Sequence, residues 1–212
     1  MAKRILIGLT GNIATGKSAV AHDLRDLGAH IIDADQIARE VVMRGQAAFD
    51  EIVSTFGIEV VRADGELNRA MLGQIVFLHH DRLRQLEAIV HPAVHAEMER
   101  QLDALAADAV AVIEVIKLFE NGWAERCTEV WVTHCAPETQ VARLMQSRTM
   151  SEADARARVL AQNPQADKVA RADVVIDTSG TLDDTRNQVM RAFHALNTRL
   201  YRSAQQESSA TE

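Results

Sequence analysis

Eight consecutive residues, Gly11-Asn12-Ile13-Ala14-Thr15-Gly16-Lys17-Ser18, satisfy the pattern G-x-x-x-x-G-K-[ST]. Small residues let the backbone curl around a phosphate chain, successive N–H groups supply donors, and a following helix adds its positive end. Lys17 would reach the outer phosphates. Ser18 would offer its hydroxyl to Mg²⁺, which offsets phosphate charge and orients the leaving group. Such a loop, running on to Ala19, binds a nucleoside triphosphate. It leaves open what accepts the phosphate, and whether transfer or hydrolysis follows.

Acceptor chemistry needs a further group. Asp33 follows a short apolar run, at the carboxyl edge where open parallel sheets expose their ligand sites. Its carboxylate would align and deprotonate an acceptor hydroxyl, or else act as a turn residue, with Asp35 the better placed of the two to cap the next helix. Glu114 also ends an apolar run. It would reach a metal through water, hold an active-site cation, or pair with Lys117. Between residues 143 and 172 six cations (Arg143, Arg148, Arg156, Arg158, Lys168, Arg171) face three anions (Glu152, Asp154, Asp167), a local balance of +3 in a chain of net charge -7. Arg143 and Arg148 are the pair whose guanidinium forks would stabilise charge during phosphoryl transfer, and Arg156 and Arg171 read equally as solvated helix residues. His91, before Pro92, either binds an acceptor phosphate or serves as a hydrogen-bonding residue at a helix junction. His79-His80 and His134-Cys135 make no metal set.

These groups must be carried by strands and helices. Residues 5–10 are an apolar run of the kind buried on both faces of a parallel sheet, and the loop and a helix ending at Gly28 follow. Residues 30–32 predict a second strand, then a helix through Ile37 and Val41. From residue 45 to about 100 the pattern is helical, with at most a strand at 59–61 before the Asp64-Gly65 turn, a cap at Asn68, and Pro92 in the first turn of a new helix. Strands are expected again at 109–115, 129–133 and 173–176, with helices at 137–148 and from the capping boxes Ser151 to Asp154 and Thr181 to Asp184. Strand and helix alternating in this way read as a layered α/β domain. The polar stretch 203–212 carries no packing stripe and is expected to be disordered.

Composition narrows the class. The chain has 212 residues, 47% of them hydrophobic and only 4% aromatic, so a sizeable, aliphatic core built from Ala, Val, Leu and Ile is expected. Excess acid argues against a molecule-wide field for nucleic acid or anionic membrane. Two cysteines, Cys127 and Cys135, form neither a disulfide framework nor a zinc motif, and no apolar run is long enough for a membrane span. The N-terminal MAKRILIGLTG lacks the hydrophobic length of a signal peptide. A cytoplasmic monomer is expected.

The ordered set GLTGNIATGKS, HIIDADQIAREVV, FG and DGELNR, VFLHHDRLRQLEAIVHP, LFENGW, QVARLMQSR, ARARVLAQNP and KVARADVVIDTSG resembles the dephospho-coenzyme A kinase family over about residues 5 to 200. The resemblance implies Mg²⁺- and ATP-dependent phosphorylation of the ribose 3'-hydroxyl of dephospho-coenzyme A. The implied fold is a P-loop kinase three-layer fold: one domain over 1–202, a five-stranded parallel sheet, a helical acceptor-binding insertion at 45–100 and a small lid at about 140–170. It makes Asp33 the general base, Lys17 and Ser18 the ATP and Mg²⁺ residues, Arg39 and His91 parts of the acceptor site, Arg143 and Arg148 lid residues, and Asp177 to Gly180 the adenine end. The reading of the residues alone leaves a nucleoside or nucleotide kinase and a nucleotide-binding interaction module as alternatives. The chain departs from the family pattern at Ala14, where glycine is common, at Glu114, at Ile116-Lys117, and at Asp177, where asparagine is usual. Glycine's freedom is absent at Ala14, so the backbone there either avoids a positive φ or is strained.

Overall fold

In the computed structural model, which describes residues 4–209, five strands form one parallel sheet in the order β2-β3-β1-β4-β5. The strands are β1 (Ile5–Thr10), β2 (His30–Asp33), β3 (Val110–Glu114), β4 (Glu129–His134) and β5 (Val174–Asp177). β1 pairs with β3 from Ile5↔Val110 to Leu9↔Glu114 and with β4 from Ile7↔Glu129 to Thr10↔Val132. β1 is therefore a central strand, which is why it reads as nearly continuous apolar sequence. The helices are α1 (Lys17–Asp26), α2 (Ala34–Glu40), α3 (Ala47–Phe56), α4 (Arg69–Leu78), α5 (His80–Asp103), α6 (Pro137–Arg148), α7 (Glu152–Leu160), α8 (Gln165–Val169) and α9 (Leu182–Ser209).

The chain divides into two compact units, residues 1–31 with 107–212, and residues 32–106. In the first, Ile7, Leu9 and Val112 of the sheet pack with Val20 and Leu24 of α1 and Val189, Phe193 and Leu196 of α9. Burying each such aliphatic side chain contributes about 1.5 to 3 kcal/mol. The core is not purely aliphatic, because Trp131 is fully buried at its centre; its indole N–H finds a partner in Glu129 Oε2 at 2.8 Å. The second unit has its own core, in which Ile52, Phe49 and Phe56 of α3 meet Val60, Leu67, Leu72 and Ile89.

Four local expectations are corrected. Asp33, not Asp35, is the N-cap of α2: its Oδ1 accepts from Asp35 N at 2.9 Å and Gln36 N at 3.0 Å. Residues 58–60 form a 3₁₀ turn, and extended pairing is limited to the isolated bridge Val61↔Leu67. The helix at His91-Pro92 does not restart: α5 runs through Pro92, so His91 lies inside a helix and not at a junction. Ile89 on one side of Pro92 and Met98 and Leu102 on the other are buried, and that packing outweighs the lost backbone bond. The stretch after Arg202, expected to be disordered, continues α9 to Ser209, since extending a formed helix needs no new nucleus. Residues 210–212 lie outside the described residues.

Candidate active site

The loop from Gly11 to Ser18 leaves the end of β1 and runs into α1. Gly11 is required by contact, since a Cβ there would lie 2.3 Å from Thr133 Oγ1 and 2.6 Å from Thr15 Oγ1. Gly16 is required by conformation: at φ 87° it is the left-handed N-cap of α1. Beneath the loop, buried Thr15 donates to Asn12 O at 2.8 Å and its hydroxyl lies 2.7 Å from Thr133 Oγ1. Thr178 adds a floor, donating to Thr15 O at 2.9 Å. Ala19 N donates to Gly16 O at 3.1 Å, and the start of α1 directs the positive end of its dipole at the loop, an arrangement suited to an anion. Lys17 Nζ reaches back to Gly11 O at 3.0 Å and Asn12 O at 3.3 Å. The exposed hydroxyl of Ser18 is an oxygen donor of the kind Mg²⁺ takes, so the residues present fit that ion.

Ala14, where the sequence left two outcomes open, sits at φ 58°. It is held there. Arg143 Nη1 donates to Ala14 O at 3.2 Å and to Thr178 Oγ1 at 3.2 Å, while Nη2 donates to Thr178 O at 2.5 Å. The same Nη1 lies 3.7 Å from Cys135 Sγ, whose thiol burial pushes up from its ordinary value. Arg143 therefore braces the loop against the turn after β5. Arg148 ends α6, and its side chain lies outside the described residues.

Asp177 ends β5 and leads into that turn. Its Oδ1 accepts from Ser179 N at 2.8 Å, and the Ser179 hydroxyl and N–H hold the carboxyl below its ordinary value. Gln188 brackets the backbone of Asp177, accepting from its N at 3.0 Å and donating to its O at 2.7 Å. Gly180 follows with its Cα near Asp184, where a Cβ would lie 2.9 Å from Oδ2. The departure at Ile116 is accommodated because that residue is used through its carbonyl, which accepts from Thr10 Oγ1 at 2.9 Å and from Lys168 Nζ at 2.8 Å. Burial lowers the Lys168 pKa. Glu114 ends β3.

In the second unit Asp33 caps α2 through Oδ1, which fixes the carboxylate and leaves Oδ2 outside those two bonds. Arg39 near the end of α2 and His91 in α5 both have exposed side chains, and the Arg39 carbonyl accepts from Arg69 Nη2 at 2.8 Å. A cavity of about 360 Å³ is lined by apolar Val42, Met43, Leu67 and Ala70, by Arg62 and Arg69, and by Glu66 and Asn68. Sequence reasoning gave Thr178 a place only within the adenine end and assigned no role to Thr133, Gln162 or Gln165. Of these three only Gln162 falls in a segment of the resemblance, and one hydroxyl or amide has no spacing of its own.

The sequence model described as CoaE, dephospho-CoA kinase, matches residues 5–184. A dephospho-CoA kinase from Symbiobacterium thermophilum is 47% identical over 192 residues, covering 90% of this chain and 80% of that protein. Among solved structures, TT1252 from Thermus thermophilus superposes with a TM-score of 0.81 at 34% identity, covering 91% of this chain and 97% of that one. A dephospho-CoA kinase from Campylobacter jejuni does so at 0.68 and 26%, covering 90% and 96%.

Proposed function

The chain belongs to the dephospho-CoA kinase family, and from that premise we propose which of its residues carry the reaction. It is an ATP-dependent kinase that phosphorylates dephospho-CoA, built on the P-loop kinase fold. The observation that carries the reading is the loop Gly11–Ser18, closed by a left-handed Gly16 onto the start of α1. The atom phosphorylated is the ribose 3'-hydroxyl. Its oxygen bonds to the γ-phosphorus, the bond to the β–γ bridging oxygen breaks, and ADP and coenzyme A leave. Asp33 accepts the hydroxyl proton, and its cap bonds support this by holding the carboxylate in one orientation before substrate arrives.

Loop residues Gly11 to Ala19, Lys17 among them, bind the phosphates, with Asp177 and Gly180 at the adenine end. Ser18 would hold Mg²⁺, which supplies charge neutralisation for the phosphate chain. Arg143 and Arg148 belong to the lid at about 140–170, where their charge stabilises the transferring group. The helical insertion at 45–100 binds the acceptor, aided by Arg39 and His91. The cavity in that unit supports this: its wall is partly apolar and partly charged, with Arg69 beside an Arg62 that pairs with Asp64 at 3.1 Å and with Glu66 also in the lining, which suits an acceptor that has both apolar and polar parts. The enzyme acts as a cytoplasmic monomer with no nucleic-acid or membrane partner. Among the described residues, no helix is long and apolar enough to cross a membrane.

A product-resolved assay offering dephospho-CoA alongside ordinary nucleoside monophosphates tests the acceptor; the 3'-phosphate of coenzyme A is expected as the main product. In the same assay Asp33→Asn should keep ATP binding and lose about 10²- to 10⁴-fold in single-turnover transfer. Near-normal transfer would remove Asp33 as the base.

A further inference from the structure

The tip of the phosphate loop is gripped by its backbone from one short stretch, residues 162–165, between α7 and the first residue of α8. Gln165 Oε1 accepts from Asn12 N at 2.9 Å, and its Nε2 donates to Thr133 O at 2.7 Å. The β1–β4 ladder ends at Thr10↔Val132, and the side-chain amide of Gln165 extends it as a further peptide group would. Gln162 Oε1 accepts from Ile13 N at 2.9 Å while its Nε2 donates to Arg158 O at 3.2 Å, so that amide is fixed at both ends. Asn12 Nδ2 donates to Asn163 O at 2.9 Å.

Other observations show that the grip imposes shape on the loop. Ile13 and Ala14 pack against the cluster of Val141, Leu144 and Ala155, contributed by α6 and α7. Ala14 stands in a left-handed conformation that a residue with a Cβ keeps only where its surroundings over-determine it.

We propose that Gln162 and Gln165 are positioning residues for ATP, a clasp that holds the amides of Asn12 and Ile13 and so keeps the phosphate loop in its binding curvature. The proposal rests on the reading of Gly11–Ser18 as the ATP phosphate site and adds the residues that shape it. Neither glutamine needs to touch the nucleotide. Because the clasp acts on the loop, its loss changes ATP affinity and leaves acceptor recognition alone.

The test is calorimetric titration of ATP, with steady-state kinetics in both substrates, on the full chain and on Gln162→Met and Gln165→Met, which keep length and remove the amide. Each variant should raise the ATP Kd and KM about tenfold, the scale of one lost hydrogen bond expressed in binding. KM for dephospho-CoA should stay within about twofold, and kcat at saturating ATP should be largely retained. Unchanged ATP affinity in the two folded variants overturns the clasp. So does a fall in kcat at constant KM, or loss of the cooperative melting transition, since either makes the glutamines ordinary structural residues. Failure of the unmodified chain to bind ATP would overturn the phosphate-site reading along with the clasp, whereas normal binding there with unaffected variants overturns the clasp alone.

Discussion

Ala14 carries a Cβ at φ 58°, a conformation that costs a non-glycine residue about 1 to 2 kcal/mol. Glycine would remove that strain but would give up more backbone entropy on folding, about 0.5 to 1 kcal/mol. Ala14→Gly should therefore leave a net gain of up to about 1.5 kcal/mol, visible as a higher urea midpoint at constant slope. A lower midpoint would show that Arg143 and the α6–α7 cluster relieve the strain fully. Asp177 is decided by its donor capacity. Its carboxylate accepts from Ser179 and has no N–H to offer a base, whereas asparagine would keep the accepting oxygen in the turn and add a donor. Asp177→Asn should raise the ratio of kcat/KM for ATP over GTP, measured with the same acceptor. An unchanged ratio would make Asp177 a turn residue only.

Pro92 tests the continuity of α5, because a proline inside a helix removes one backbone bond and crowds the carbonyl four residues earlier. If α5 is one helix, Pro92→Ala restores that bond and should stabilise the chain by about 1 to 3 kcal/mol in urea denaturation. If a new helix started there, alanine would bring no gain, since proline suits a first turn. The sequence misled here for a definite reason: His91-Pro92 carries the local signal of a boundary, and the burial of Met98 and Leu102 that overrides it depends on tertiary partners. Elements with strong local chemistry were legible. The boxes at Ser151 and Thr181 cap α7 and α9 as expected, with Asp154 N donating to Ser151 Oγ at 3.1 Å and Asp184 N to Thr181 Oγ1 at 3.1 Å. The phosphate loop was legible because its glycines answer to close contact at Gly11 and positive φ at Gly16. α8 was not, because five residues make too short a helix to show a period. The cap of α2 went to Asp33 and not Asp35 because two carboxylates two residues apart carry the same local signal, and only the end of β2 separates them.

At the scale of the whole molecule, each compact unit has its own core, and the proposed ATP and acceptor residues divide between them: Lys17 belongs to one and Arg39 and His91 to the other. Any ligand that binds only the folded chain stabilises it by mass action, about 2.7 kcal/mol at a concentration of one hundred times Kd. For a chain of this size that corresponds to a rise in Tm of roughly 5 to 11 °C. ATP and dephospho-CoA, added separately at such excess, should each give a rise on this scale. Lys17→Ala removes the charge beside the outer phosphates and should abolish most of the ATP-dependent rise while leaving that from dephospho-CoA intact. Arg39→Ala and His91→Ala should do the reverse. Both side chains are exposed in the second unit, so their loss should change the ligand-free melting point little, because surface substitutions usually stay within about 0.5 kcal/mol. Melting curves on the four proteins, each with no ligand, ATP or dephospho-CoA, read all of this at once. A variant that loses both rises together, or a His91→Ala chain that keeps its full response to dephospho-CoA, would contradict the division of roles, because a local binding defect can weaken only the ligand that the missing side chain touches.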